Sequence, residues 1–189
     1  MLGESVGPSL LRECSTLRGE LMETIRVRGE SKTDRYEELL PQLDALVRDE
    51  DDSIANLANI ASALAMTFPE FLWVGFYLMK GTELVLGPFQ GSVACTRIHL
   101  GRGVCGLSAA RRESIIVDDV EKFPGHIVCD PASRSEIVVP MFDDRGLHGV
   151  LDVDSKTVSA FDITDQRYLE RIVDAIILPK LNGTNGARA

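Results

Sequence analysis

The run Phe71-Leu72-Trp73-Val74-Gly75-Phe76-Tyr77-Leu78-Met79 is the longest apolar stretch of the chain and is closed off by Glu70 and Lys80. It is far short of the roughly 20 residues a membrane-spanning helix needs. Its aromatic and β-branched side chains suit a strand. Gly81 follows at once, and Glu83 to Gln90 then continues in the same style, so composition and spacing predict a β-hairpin. Because a strand sends successive side chains to opposite faces, Trp73, Gly75 and Tyr77 share one face and Val74, Phe76 and Leu78 the other.

Around this hairpin the chain predicts helices first and further strands after. Tyr36, Leu39, Leu40, Leu43, Leu46 and Val47 recur at helical spacing, with Pro41 expected to kink that segment or divide it. Asp52 or Ser53 can cap a second helix whose apolar side carries Ile54, Leu57, Ile60, Ala61, Leu64 and Ala65. Short strands are expected at 93–100, 114–117, 136–142 and 147–154, with Gly146 in the turn between the last two. A closing helix over 164–181 turns Tyr168, Leu169, Ile172, Ile176 and Ile177 inward. The fold class is therefore α+β, an antiparallel sheet of about six strands with helices packed against it. Residues 1–30, broken by several glycines, are expected to be an N-terminal extension, residues 31–181 the domain, and residues 182–189 a disordered tail.

Charge narrows the partners. A net charge of −9 and a pI near 4.8 argue against nucleic acid, whose binding draws its affinity from clustered Lys and Arg. The N-terminus lacks an apolar signal core, and its Arg12, Arg18, Arg26 and Arg28 are mixed with Glu4, Glu13, Glu20, Glu23 and Glu30, unlike an acid-poor transit peptide. The expected location is the cytoplasm, away from any membrane. Thiols are kept reduced there, and a disulfide is more often catalytic than structural.

That expectation bears on the four cysteines. Cys95, Cys105 and Cys129 lie in the middle third of the chain beside loop-prone sequence, whereas Cys14 on the extension reads as inert. Cys105 follows Gly101-Arg102-Gly103-Val104, where Arg102 can help hold a thiolate, and a packing role is equally open. Cys129 follows Pro124-Gly125, at a loop or helix start whose free amides lower a thiol pKa. No Cys-x-x-Cys occurs and His99, His126 and His148 are scattered, so no metal site is expected.

The acids form a second pattern. In Gly149-Val150-Leu151-Asp152-Val153-Asp154-Ser155, strand periodicity puts Leu151 and Val153 toward the core and Asp152 and Asp154 together on the opposite face. Like charges so close raise one another's pKa, so the pair either meets a cation or keeps a proton for general-acid use, unless it is merely an exposed strand face. Glu136 opens the neighbouring strand and can join them.

Seven ordered blocks then match a family: Trp73-Val74-Gly75-Phe76-Tyr77, Gly87-Pro88-Phe89-Gln90-Gly91, Ala94-Cys95, Gly101-Arg102-Gly103-Val104-Cys105-Gly106, Phe123-Pro124-Gly125-His126-Ile127-Val128-Cys129-Asp130, Ser135-Glu136-Ile137-Val138-Val139-Pro140 and Gly149 to Ser155. Together they resemble the free methionine-R-sulfoxide reductases, which are single GAF domains. The resemblance implies a GAF-like fold with helices on one face of the sheet and a lidded pocket on the other, commonly as a homodimer. It implies reduction of free methionine R-sulfoxide, with Cys129 as the catalytic thiol and Cys95 and Cys105 as recycling thiols. It further implies Glu136, Asp152 and Asp154 on the substrate side, with Trp73 and Tyr77 lining the pocket. The disulfide formed in recycling needs an external dithiol to open it, for which a thioredoxin-like electron donor is expected in the cytoplasm, and the thiol chemistry requires no cofactor. The competing expectation is a GAF sensor that binds a small molecule, or switches on thiol oxidation, without turnover.

Overall fold

In the computed structural model, which describes residues 24–127 and 129–183, the expected hairpin is present as β1 (Phe71–Lys80) and β2 (Glu83–Gln90). Gly81 makes the turn at φ 64°, a left-handed conformation open to glycine at little cost. The sheet is completed by β3 (Arg97–His99), β4 (Ile115–Val117), β5 (Ser135–Asp143) and β6 (Gly146–Ser155). The order across it is β3-β2-β1-β6-β5-β4, and every pair is antiparallel. The strand expected over 93–100 is shorter than its composition suggested: only Arg97–His99 pairs with β2, and the residues before it form the loop that carries Cys95.

Strand periodicity divides the interior into two layers. Val74 and Phe76 of β1, Ile137, Val139 and Met141 of β5, and Leu151 and Val153 of β6 enter the larger core, beneath α1 (Lys32–Val47), α2 (Ser53–Thr67) and α4 (Ile163–Ile172). Trp73, Tyr77, Val138 and Val150 point the other way, into a smaller cluster covered by α3 (Gly103–Arg111) and the loops. The larger core is pinned at one end by polar groups. Buried Asp165 accepts hydrogen bonds from Tyr36 Oη at 2.9 Å and Lys32 Nζ at 2.5 Å, which tie α1 to α4. Asp52 caps α2 by accepting from the backbone N–H groups of Ile54 and Ala55.

Two local expectations change. α1 runs unbroken through Pro41. Pro41 lies on the exposed side of the helix, where water can take up the carbonyl that its missing N–H leaves free. The glycine-rich stretch around Cys105, expected to be pliable, is the start of α3. Val104, Cys105, Ser108 and Ala109 are buried at helical spacing there, and Gly106 lets the helix approach the His99 carbonyl so closely that a Cβ would collide with it.

At the C-terminal end the helix continues past α4 through a wider π turn, Val173–Ile177, into α5 (Leu178–Gly183). Ahead of α1, residues 25–28 run alongside it. The Arg26 backbone exchanges hydrogen bonds with the Gln42 amide, and Ile25 and Val27 pack on the larger core. Cys14 and the rest of residues 1–23, and residues 184–189, lie outside the described residues, while residues 182 and 183, expected in a disordered tail, instead close α5. Among the described residues no helix is long and apolar enough to cross a membrane.

Candidate active site

Register brings the acids and aromatics together. Across β1 and β6, Trp73 pairs with Asp154 and Gly75 with Asp152; across β5 and β6, Glu136 pairs with Asp154. Directly paired residues on antiparallel strands present their side chains on the same face. The three carboxyls and Trp73 therefore share the face opposite the larger core, and Tyr77 joins them four residues along β1. Trp73 and Tyr77 have ring centroids 6.0 Å apart, and Trp73 and Phe89 5.4 Å apart. Gly75 is required beneath them: a methyl group there would sit 2.5 Å from Trp73 Cη2 and collide with Phe89 Cβ.

This face is not a solvent-exposed strand surface. Glu136 and Asp152 are each only 6% exposed, so the exposed-face reading of the acids falls away. Burial, reinforced by the charges of Asp152 and Asp154, pushes the Glu136 carboxyl well above the usual range. Burial and the charge of Asp154 do the same to Asp152. Asp154 is raised to about 6 by burial, with a hydrogen bond from Ser133 Oγ acting in the opposite sense. Three carboxylates cannot all ionise in so dry a space, and the cluster is built to hold protons or to receive a cation.

Cys105 forms part of the same cluster from the first turn of α3, its Sγ donating a long hydrogen bond of 3.9 Å to Glu136 Oε1. Its environment reverses the expectation of an Arg102-stabilised thiolate. Burial, together with Asp152 and Glu136, raises the thiol pKa well above its ordinary value. Cys105 is thus a neutral thiol against an acidic wall, not a prepared nucleophile.

Cys95 and Cys129 are joined in a disulfide with Cα atoms 5.6 Å apart. The bond ties the loop after β2 to the loop before β5, and a second tie lies beside it: Ser92 Oγ donates to Asp130 Oδ2 at 2.6 Å. Trp73 Nε1 donates to Ser92 O at 3.1 Å, anchoring the Cys95 loop to the sheet. Two small cavities of about 30 and 20 Å³ have Cys129, Asp130, Asp152 and Asp154 as common walls. Cys105, His126 and Glu136 border the first, and Trp73, Tyr77 and Ser92 the second. All eight residues singled out in the sequence therefore meet in one region, Cys95 through its bond to Cys129.

Four contributors were not foreseen: Ser92, His126, Asp130 and Ser133. His126 Nε2 lies 3.7 Å from Glu136 Oε2, and burial lowers its pKa. Ser133 and Ser92 carry no sequence signal of their own, because each acts only on a partner distant in the chain. His126 and Asp130 flank Cys129 closely enough that its neighbourhood pointed to them.

Comparison with known proteins agrees with this architecture. The GAF domain family matches residues 48–177. GAF domain-containing protein A of Dictyostelium discoideum is 50% identical over 154 residues, covering 81% of this chain and 97% of the relative. The free methionine-R-sulfoxide reductase of Escherichia coli strain K12 is 43% identical over 143 residues, covering 76% of this chain and 87% of the relative. Among solved structures, the free methionine-R-sulfoxide reductase of Neisseria meningitidis in complex with its substrate superposes with a TM-score of 0.85 at 45% identity, over 88% of this chain and 100% of that one.

Proposed function

Since the chain belongs to the GAF-domain family of free methionine-R-sulfoxide reductases, we propose that it reduces free L-methionine (R)-S-oxide to L-methionine with Cys129 as the attacking thiol. The observation that carries this reading is the shared cavity wall of Cys129, Asp152 and Asp154, which puts a sulfur beside proton-bearing carboxyls. A sulfoxide sulfur is a weak electrophile, so attack needs a thiolate on one side and a proton delivered to the departing oxygen on the other. The Cys129 thiolate and one proton take oxygen from the substrate, releasing methionine and leaving Cys129 as a sulfenic acid. The Cys95 thiol then displaces water from that sulfenic acid to give the Cys95–Cys129 disulfide, which guards the sulfur from further oxidation.

Glu136, Asp152 and Asp154 divide the remaining work. A carboxyl kept neutral by burial donates the proton, and the others face the substrate ammonium, whose charge favours their ionised forms. A methionine inside a peptide has no such ammonium, which accounts for a preference for the free amino acid. Trp73 and Tyr77 wall the S-methyl group, and a ring face toward the ammonium adds about 0.5–2 kcal/mol. Cavities of about 30 and 20 Å³ do not hold an amino acid, so opening the disulfide must precede substrate entry. Family resemblance supports a thioredoxin-like dithiol as electron donor, a homodimer and a cytoplasmic location.

Incubating the protein with separated methionine sulfoxide diastereomers and a thioredoxin system tests the proposal. Methionine forming from the free R diastereomer alone is the expected result. Ligand binding without methionine formation would replace the enzyme reading with the sensor.

A further inference from the structure

Three buried donor atoms of the kind that bind zinc converge on the larger of the two cavities. Cys105 Sγ, one carboxyl oxygen of Glu136 and one of Asp152 lie within 4.8 Å of one another. Cys105 is 4% exposed, and the two acids 6% each. Asp152 Oδ1 is buried without a hydrogen-bond partner, although a buried acceptor left unpaired is costly. The protein therefore presents an unsatisfied acceptor beside a thiol and a second carboxyl.

We propose that this cavity binds one divalent ion of the zinc class through Cys105, Glu136 and Asp152, with water completing its shell, and that the ion blocks the amino-acid site. Sulfur and carboxylate oxygen are both ordinary zinc ligands, and three protein ligands with an open fourth position make a common arrangement. Ligand atoms on one tetrahedral ion stand about 3.5 Å apart, so donors already within 4.8 Å need only small side-chain movements. On coordination the Cys105 thiol gives its proton to solvent, and the doubly charged ion offsets the crowded negative charge that otherwise holds protons in place. The space of about 30 Å³ admits an ion and a water, and because Glu136 and Asp152 are also the acids that face the substrate ammonium, the ion and the amino acid exclude one another in either thiol state. The ligands come from α3, β5 and β6, which is why no local Cys/His spacing announces them. Only the blocking clause rests on the proposed function, since the ligand set stands independently of any reaction.

Cobalt(II) is the probe. It is titrated into the full chain carrying Cys14→Ser and held in its Cys95–Cys129 disulfide form, which leaves Cys105 as the sole free thiol. The expected result is a thiolate-to-cobalt charge-transfer band that saturates at one ion per chain and is displaced by zinc. Cys105→Ser removes the band and Asp152→Asn weakens binding at least tenfold, with circular dichroism confirming that both variants fold. Absence of the band, its persistence in Cys105→Ser, or unchanged affinity in Asp152→Asn overturns the site. With the reduced enzyme, zinc raises the KM for free methionine R-sulfoxide and leaves kcat unchanged, whereas a fall in kcat alone overturns the blocking clause. The absorbance titration needs no turnover, so failure of the metal site and failure of the sulfoxide reaction are read separately.

Discussion

Asp152 stands directly opposite Gly75 across β6 and β1, so a buried carboxylate faces the one position in β1 that has no side chain. The space above Gly75 belongs to Trp73 and Phe89. Trp73 in turn holds Ser92, and with it the loop of Cys95, by its indole hydrogen bond. A single missing methyl group thereby links the acid wall, the aromatic wall and the position of the sulfur loop.

Gly75→Ala tests that linkage. The added methyl displaces the Trp73 ring and Phe89, and overpacking of this kind costs about 1–3 kcal/mol. Thermal melting is expected to fall, and the KM for the sulfoxide to rise at least tenfold as the Cys95 loop loses its anchor. A variant with wild-type KM would show that the indole position is immaterial to the site.

Asp152→Asn is expected to trade activity for stability. A carboxyl whose folded pKa is raised contributes its stability below the unfolded value and loses it as pH rises toward and through the folded one, so the cost of keeping Asp152 buried grows as pH rises above the ordinary carboxyl range. The amide removes that burden, and a gain on the order of 1 kcal/mol should appear as a melting point higher by about 2–4 °C. Activity falls at least a hundredfold, because the acid wall loses a member. Calorimetry at pH 5 and pH 8 checks the sign, since the gain must grow with pH.

Ser133 sets the working range of Asp154. Its hydroxyl hydrogen bond favours the carboxylate and opposes the burial that lifts the group to about 6. Ser133→Ala removes this opposition, so Asp154 keeps its proton to higher pH. The limb of the kcat/KM profile that descends as Asp154 deprotonates should move upward, by roughly 0.5–1 unit for one lost hydrogen bond. A limb that stays in place would assign the titration to another group.

The three central thiols separate by kinetics. Cys129→Ser abolishes methionine formation even in a single turnover. Cys95→Ser forms one equivalent of methionine per chain and then stops with a sulfenic acid that dimedone traps, since the sulfur that closes the disulfide is gone. Cys105→Ser retains disulfide formation, because Cys105 is a neutral thiol held against Glu136. Mass spectrometry of the trapped and bridged peptides reads all three outcomes.

Much of this site is legible in the order of residues. The period of a strand alone separates Asp152 and Asp154 from Leu151 and Val153, and Trp73 and Tyr77 from Val74 and Phe76, and the structure keeps both divisions. Helix capping at Asp52 was equally local. The misreadings have a common origin. In an isolated chain Pro41 and the glycines of 101–106 break or loosen helices, whereas tertiary placement puts Pro41 on the solvent side and makes Gly106 the point of close contact with His99.

From its order of residues alone, the chain determined which side chains share a face, because alternation along a strand needs no partner. Tertiary structure decided what those faces meet: that Glu136 comes alongside Asp154, that α3 presses Cys105 against the acids, and that Cys95 reaches Cys129. Desolvation is the reason. The proton affinity of a carboxyl or thiol depends on how much water its neighbours exclude, and here those neighbours come from strands, helices and loops far apart in the chain.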